Sequence, residues 1–122
     1  MKIVNLTPHE INIVDSGGTV LYRLPPSAQI VRVVSESECV GDIDGVLMHR
    51  TIFRDVEGLP EPRPDTIYVA SMLDALVAAK MGRTDVHSPT EAVRSIDGRV
   101  VWCRGLRKYQ WSELTFSRLP TA

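Results

Sequence analysis

The chain has 122 residues, 14 of them basic and 15 acidic, for a formal net charge of -1, and 43% of its residues are hydrophobic. This length suits one domain that buries a core without staples, and the charge balance excludes a general electrostatic footprint for nucleic acid. Cys39 and Cys103 are too few for a disulfide framework and match no zinc or redox spacing. Reduced thiols in a cytoplasm are the expectation. Residues 1–14 carry polar side chains throughout, with no apolar segment of the signal-peptide kind.

In chain order, residues 2–6 read as a strand broken by Thr7-Pro8, and residues 10–14 alternate polar with apolar as a half-buried strand does. Asp15-Ser16-Gly17-Gly18 supplies turn chemistry into a hairpin partner at 19–23, which Pro25-Pro26 closes. A further strand covers 29–34, with Arg32 inside an otherwise apolar run, and Ser35 to Glu38 reads as a polar turn or exposed edge. Asp44-Gly45 marks a second hairpin, between 40–46 and 46–53. Residues 57–66, EGLPEPRPDT, hold three prolines, which force an extended path.

Ile67-Tyr68-Val69 is a short apolar strand leading into the one convincing helix, at about residues 72–81. Ser71 is a good N-cap, with Asp74 at the capping-box spacing; Lys80 suits the last turn and Gly82 the stop. Apolar residues nearly encircle this helix, so the expectation is a rod enclosed by sheet, too short to cross a bilayer. Residues 91–96 and 99–103 read as a third hairpin turning at Asp97-Gly98. The resulting fold class is α+β: a mainly antiparallel, strongly curved sheet or partly open barrel around one buried helix. Residues 1–105 form the domain, and 106–122 a tail that packs on the body or on a second subunit of a homo-oligomer.

The segments KIVNLTPHEINIV, PPSAQIVRV, EGLPEPRPDTIYVAS and RTDVHSP together resemble a family of small proteins from bacteriophages and actinobacterial genomes, over residues 1 to 105. The resemblance implies a phage or prophage accessory protein and no established activity. Two positions depart from the pattern, Ala28 and Thr90 standing where the family has glycine, so the backbone there need not take positive φ.

Candidate chemistry gathers in two places. Arg83, Asp85 and His87 follow the helix: Arg83 suits a phosphate or carboxylate, and Asp85 or His87 a sugar or base. The competing reading makes Arg83 a complement to the helix dipole and Asp85 its ion-pair partner. Thr7 and His9 sit between two strands; His9 with Asp85 is the candidate acid–base pair of a small hydrolase or lyase, against a structural reading in which Asn5 and Thr7 stabilise the turn and His9 is a surface residue. Arg32, if inward, needs an anion, and Ser71 has free amides beside it, although capping alone explains Ser71. The three histidines share no metal-ligand spacing, no hydrolase, P-loop or dinucleotide fingerprint is present, and nothing calls for a cofactor.

Three function classes follow: the small hydrolase or lyase using His9 and Asp85, and two that need no catalysis. One is sequestration of a small anionic, nucleotide-derived host signalling molecule by Arg83, Asp85, His87 and Arg32, with Ser71, Thr7 and His9 nearby. The other is a protein-interaction module that inhibits a host protein or serves as a minor virion component, contacting its partner through the proline-rich loop and the tail.

Overall fold

Thr66–Val69, a helix and Val86–Thr90 form a strand–helix–strand unit whose two strands lie parallel, because a helix returns the chain to the start of the sheet. The computed structural model describes residues 1–94, 96–97 and 100–111. In chain order the elements are β1 (Lys2–Asn5), β2 (Ile11–Val14), β3 (Val20–Leu24), β4 (Arg32–Ile43), β5 (Val46–Glu57), β6 (Thr66–Val69), α1 (Met72–Lys80), β7 (Val86–Thr90), β8 (Val93–Arg94), β9 (Val100–Cys103) and β10 (Gly105–Lys108). The fold is α+β, but its sheets are mixed and open. One has the order β1-β6-β7-β10, the second β3-β2-β9-β8, and β4 and β5 stand apart as a two-stranded ribbon. Parallel pairs join β1 to β6, β6 to β7 and β2 to β9. The expectation of a mainly antiparallel, partly closed barrel is therefore corrected. Hairpin turns betray antiparallel neighbours in a sequence, whereas parallel pairing between distant segments leaves no local mark.

The two four-stranded sheets share a corner. Thr90 faces Gly105 and Val93 faces Trp102, the register of a single ribbon bent where β7 passes to β8 and β9 to β10. Glu91 makes the bend with φ of 49°, and a Cβ on Gly105 would lie 2.7 Å from Thr90 Oγ1, so the strands close tightly there. Neither Ala28 nor Thr90 takes positive φ, as their lack of glycine implies.

Alternation along the β1-β6-β7-β10 sheet makes it the middle layer. Tyr68 and Val86 point to one side, joining Leu6, Ala70, Ala75 and Ala78 of the helix-side core. Val69, with Ile3 and Leu106 beside it, points to the other, meeting Ile11, Ile13, Leu24 and Cys103 of the second sheet. A strand buried on both faces must be apolar throughout, which is why β6 reads TIYV.

Helix α1 is capped as its sequence demands: the Ser71 side chain accepts from the Asp74 amide at 3.1 Å. It is not enclosed. Ala75, Val77, Ala78 and Ala79 are buried, while Met72, Leu73, Leu76 and Met81 are exposed. Small side chains turn inward because they let the helix axis approach the sheet; the bulky ones are left outside. With only Asp74 and Lys80 polar, one near each end, the helix has no continuous polar stripe to announce its outer face, and the expectation of a clasped rod fails for that reason.

Residues 35–38, expected as a polar turn or an exposed edge, are the latter: they lie exposed within β4, where Glu38 and Glu36 pair with Arg50 and Arg54 across the ribbon. The 105 boundary is crossed by β10, which puts residues 105–108 in the middle sheet. The Asp97-Gly98 turn is only partly within the described residues, and residues 112–122 of the expected tail lie outside them. Cys39 is exposed and Cys103 buried, both free; burial pushes the Cys103 thiol above its ordinary range.

Gly58 has φ of 82°, and a Cβ there would sit 2.0 Å from the Ile30 carbonyl oxygen. Gly58→Ala combines left-handed strain with a backbone clash where β5 leaves the body. We expect a loss of more than about 3 kcal/mol in urea unfolding, against about 1–2 kcal/mol for a Gly18→Ala control, where φ is 86° and open space leaves the strain alone.

Candidate functional site

The TPHE turn between β1 and β2 is built around Asn5, a buried polar residue. Its side-chain amide donates to the His9 carbonyl at 2.6 Å and the Leu24 carbonyl at 3.0 Å. Its oxygen accepts from the Thr7 amide at 2.9 Å and lies 2.6 Å from the Thr7 hydroxyl. The Asn5 backbone carbonyl accepts from the Ser27 amide. Every hydrogen-bonding position of the amide is used, so the cost of burying it is met in full. Thr7 is committed to this turn. His9 enters only through its backbone; its side chain is exposed.

Arg83 follows the helix. Its Nε and one terminal nitrogen grip Asp85 at 2.9 and 3.0 Å, and the same terminal nitrogen donates to the Pro60 carbonyl at 2.8 Å. Tyr68 donates to the neighbouring Glu61 carbonyl at 2.9 Å. The pair therefore pins the proline-rich loop to the start of β7. Burial opposes ionisation of Asp85, yet the Arg83 bonds, a backbone bond and nearby positive charge prevail and hold its carboxyl below the usual range. Arg83 is pushed up by the same partner. His87 is half-buried, its Nδ1 lying 3.3 Å from the Asp85 carbonyl oxygen.

The remaining positions are dispersed. Ser71 caps the N-terminus of α1, at the end opposite Arg83, and roughly 14 Å of helix separates them. Burial raises the Asp74 carboxyl beside that cap, against the Ser71 hydrogen bond. Arg32 opens β4 and is exposed, opposite Glu57. The structure thus brings Arg83, Asp85 and His87 together and sets Arg32, Ser71, Thr7 and His9 elsewhere. Among the described residues no cluster of three metal-ligating side chains exists, and no helix is long and apolar enough to cross a membrane.

What the sequence understated is the ribbon of β4 and β5. Each strand is 12 residues long, about 40 Å when extended. Val31, Val56 and Leu59 root it in the helix-side core. From Ser35 to Ile43 and from Val46 to Thr51 every side chain is exposed, so this part of the ribbon projects from the body as an arm. Its tip carries Val40, Ile43, Val46, Leu47 and Met48, all exposed. Among the described residues neither outer edge of the arm has a strand partner. The signal available in the sequence was the pair of runs about Asp44-Gly45, acidic at Glu36 and Glu38 before the turn and basic at Arg50 and Arg54 after it. No family model, curated protein or solved structure matches the chain.

Two outcomes follow for this part of the molecule. Asn5→Ala strands two carbonyls and an amide and should cost about 2–4 kcal/mol of stability by denaturant unfolding, whereas His9→Ala should stay within about 0.5 kcal/mol. Asp85 has a depressed folded-state pKa, so its contribution is fully present above about pH 4, the unfolded value, and is lost as pH falls through the lower folded value. Asp85→Asn should lower the thermal midpoint at pH 7 and flatten its decline in acid.

Proposed function

We propose that this chain is an interaction module that assembles with copies of itself through the β4–β5 arm, as a phage-type accessory or minor structural protein. The observation that carries the reading is the arm: two edges without a strand partner among the described residues and an apolar tip, held away from the core. A two-stranded ribbon is marginal by itself in water, and open edges invite a further strand. Protection comes when another chain covers them.

Charge favours a second copy as that chain. Beyond the root of the arm, β4 carries Glu36, Glu38 and Asp42 and β5 carries His49, Arg50 and Arg54, while Arg32 of β4 and Asp55 and Glu57 of β5 reverse the pattern at the root itself. Arg50 and Arg54 are paired with Glu38 and Glu36 inside each arm, at the exposed surface; β5 of one copy beside β4 of the next extends these pairs into an alternating row, whereas like edges set acid against acid or base against base. Such a contact is head-to-tail, and it closes a ring or extends a filament according to its rotation. The phage resemblance of the KIVNLTPHEINIV and EGLPEPRPDTIYVAS segments supports this context. The proline-rich loop, by contrast, is tied to the body through Arg83 and Tyr68. Sequestration of a small anion at Arg83 has less to stand on, because Asp85 already neutralises that guanidinium.

Sedimentation velocity tests the reading. The full chain should sediment as an oligomer at or below about 100 µM. A shortened chain lacking 39–43 and 46–49, in which Asp44-Gly45 joins Glu38 to Arg50, should be a monomer with an unchanged thermal midpoint. Full-length protein that stays monomeric throughout that range removes the proposal.

A further inference from the structure

The β3-β2-β9-β8 sheet has a second face, and it is not plain surface. Ile11, Ile13 and Cys103 point into the core, so Asn12 and Trp102, directly opposed in the parallel pairing of β2 and β9, point away from it. Together with Val14, Gly18, Val20 and Arg104 they line a cavity of about 360 Å³, within the range of small-molecule sites. Gly18, with φ of 86° and nothing within 4 Å of where a Cβ would stand, leaves the turn beside β3 open. The Arg104 guanidinium carbon lies 5.8 Å from the centroid of the Trp102 ring, the distance of a cation held over an aromatic face.

We propose that this cavity binds a small anion bearing a flat ring. The chemistry of the lining selects it. Trp102, Val14 and Val20 present apolar surface suited to a planar ring, since aromatic faces stack in offset geometry. Arg104 is the only charged group in the lining, and among the described residues it makes no ion pair. A guanidinium in that position has its fork of donors available for a carboxylate or phosphate. The Asn12 side chain lies beside Trp102 in the lining. The site lies on the body and is independent of the arm.

The experiment is a titration followed by Trp102 fluorescence in a Trp111→Phe background of the full chain. Adenosine 5′-monophosphate serves as the phosphate-bearing ring and indole-3-acetate, followed by calorimetry because it fluoresces, as the carboxylate-bearing one. Saturation by either, with Kd at or below about 1 mM, is the expected result and identifies the preferred anion. Adenosine and inorganic phosphate alone should bind at least tenfold more weakly. Arg104→Gln, an exposed change, should weaken the anionic probe by about tenfold or more, and the arm-shortened chain should bind it unchanged. Saturation by neither probe, or equal binding by the Arg104→Gln protein, overturns the proposal.

Discussion

The amide of Asn5 is the tie on which the layered body depends. It sits at the end of β1, in the middle sheet, and reaches the carbonyls of His9, just before β2, and of Leu24, at the end of β3. One side chain thus holds the point where the chain leaves one sheet for the other. A buried amide tolerates no half measures, because each unmet donor or acceptor costs as much as several good contacts gain. The turn is consequently rigid, and its polar residues are structural.

Around that tie the sheets meet at a shared corner, and the middle sheet is covered twice. Its helix side is thin: alanines of α1 lie against Tyr68 and Val86, with the arm's root filling the flank. Its other side is closed by Ile11, Ile13 and Cys103. The cross-sheet ribbon that starts as β7 and β8 and returns as β9 and β10 carries strain at the corner, taken up by Glu91 and by the missing side chain of Gly105. Arg83 and Asp85 close the far end of the helix against the proline-rich loop. Most of the polar groups that looked available for a ligand are in this way parts of the frame.

The surfaces left over are of two kinds. The arm offers apolar side chains and open backbone edges, which are the features of polypeptide association. The outer face of the second sheet offers a recess with one cation and one indole, which is the composition of a small-molecule site. They lie on different elements, so the proposed assembly and the proposed binding are independent of each other.

Much of the local structure was legible from the residues themselves. Ser71 and Asp74 announce the helix start, Asp15 to Gly18 and Asp44-Gly45 announce turns, and Asn5 with Thr7 announces a polar turn, because each signal acts over a few residues through fixed backbone chemistry. Pairings between distant segments, β1 with β6 and β2 with β9, were not legible, since any apolar strand can serve as a parallel neighbour for another. Nor was the outer face of α1, where apolar residues occupy every side, or the length of β4, whose polar middle resembles a turn until Arg50 and Arg54 stand opposite it. Trp102 and Arg104 are two residues apart in the chain, but the recess they share exists only once β2 lies beside β9. The sequence by itself determined where the chain turns, caps and extends; which surfaces those elements cover, and which they leave open, was decided by tertiary packing, because burial is a property of the neighbours and not of the residue.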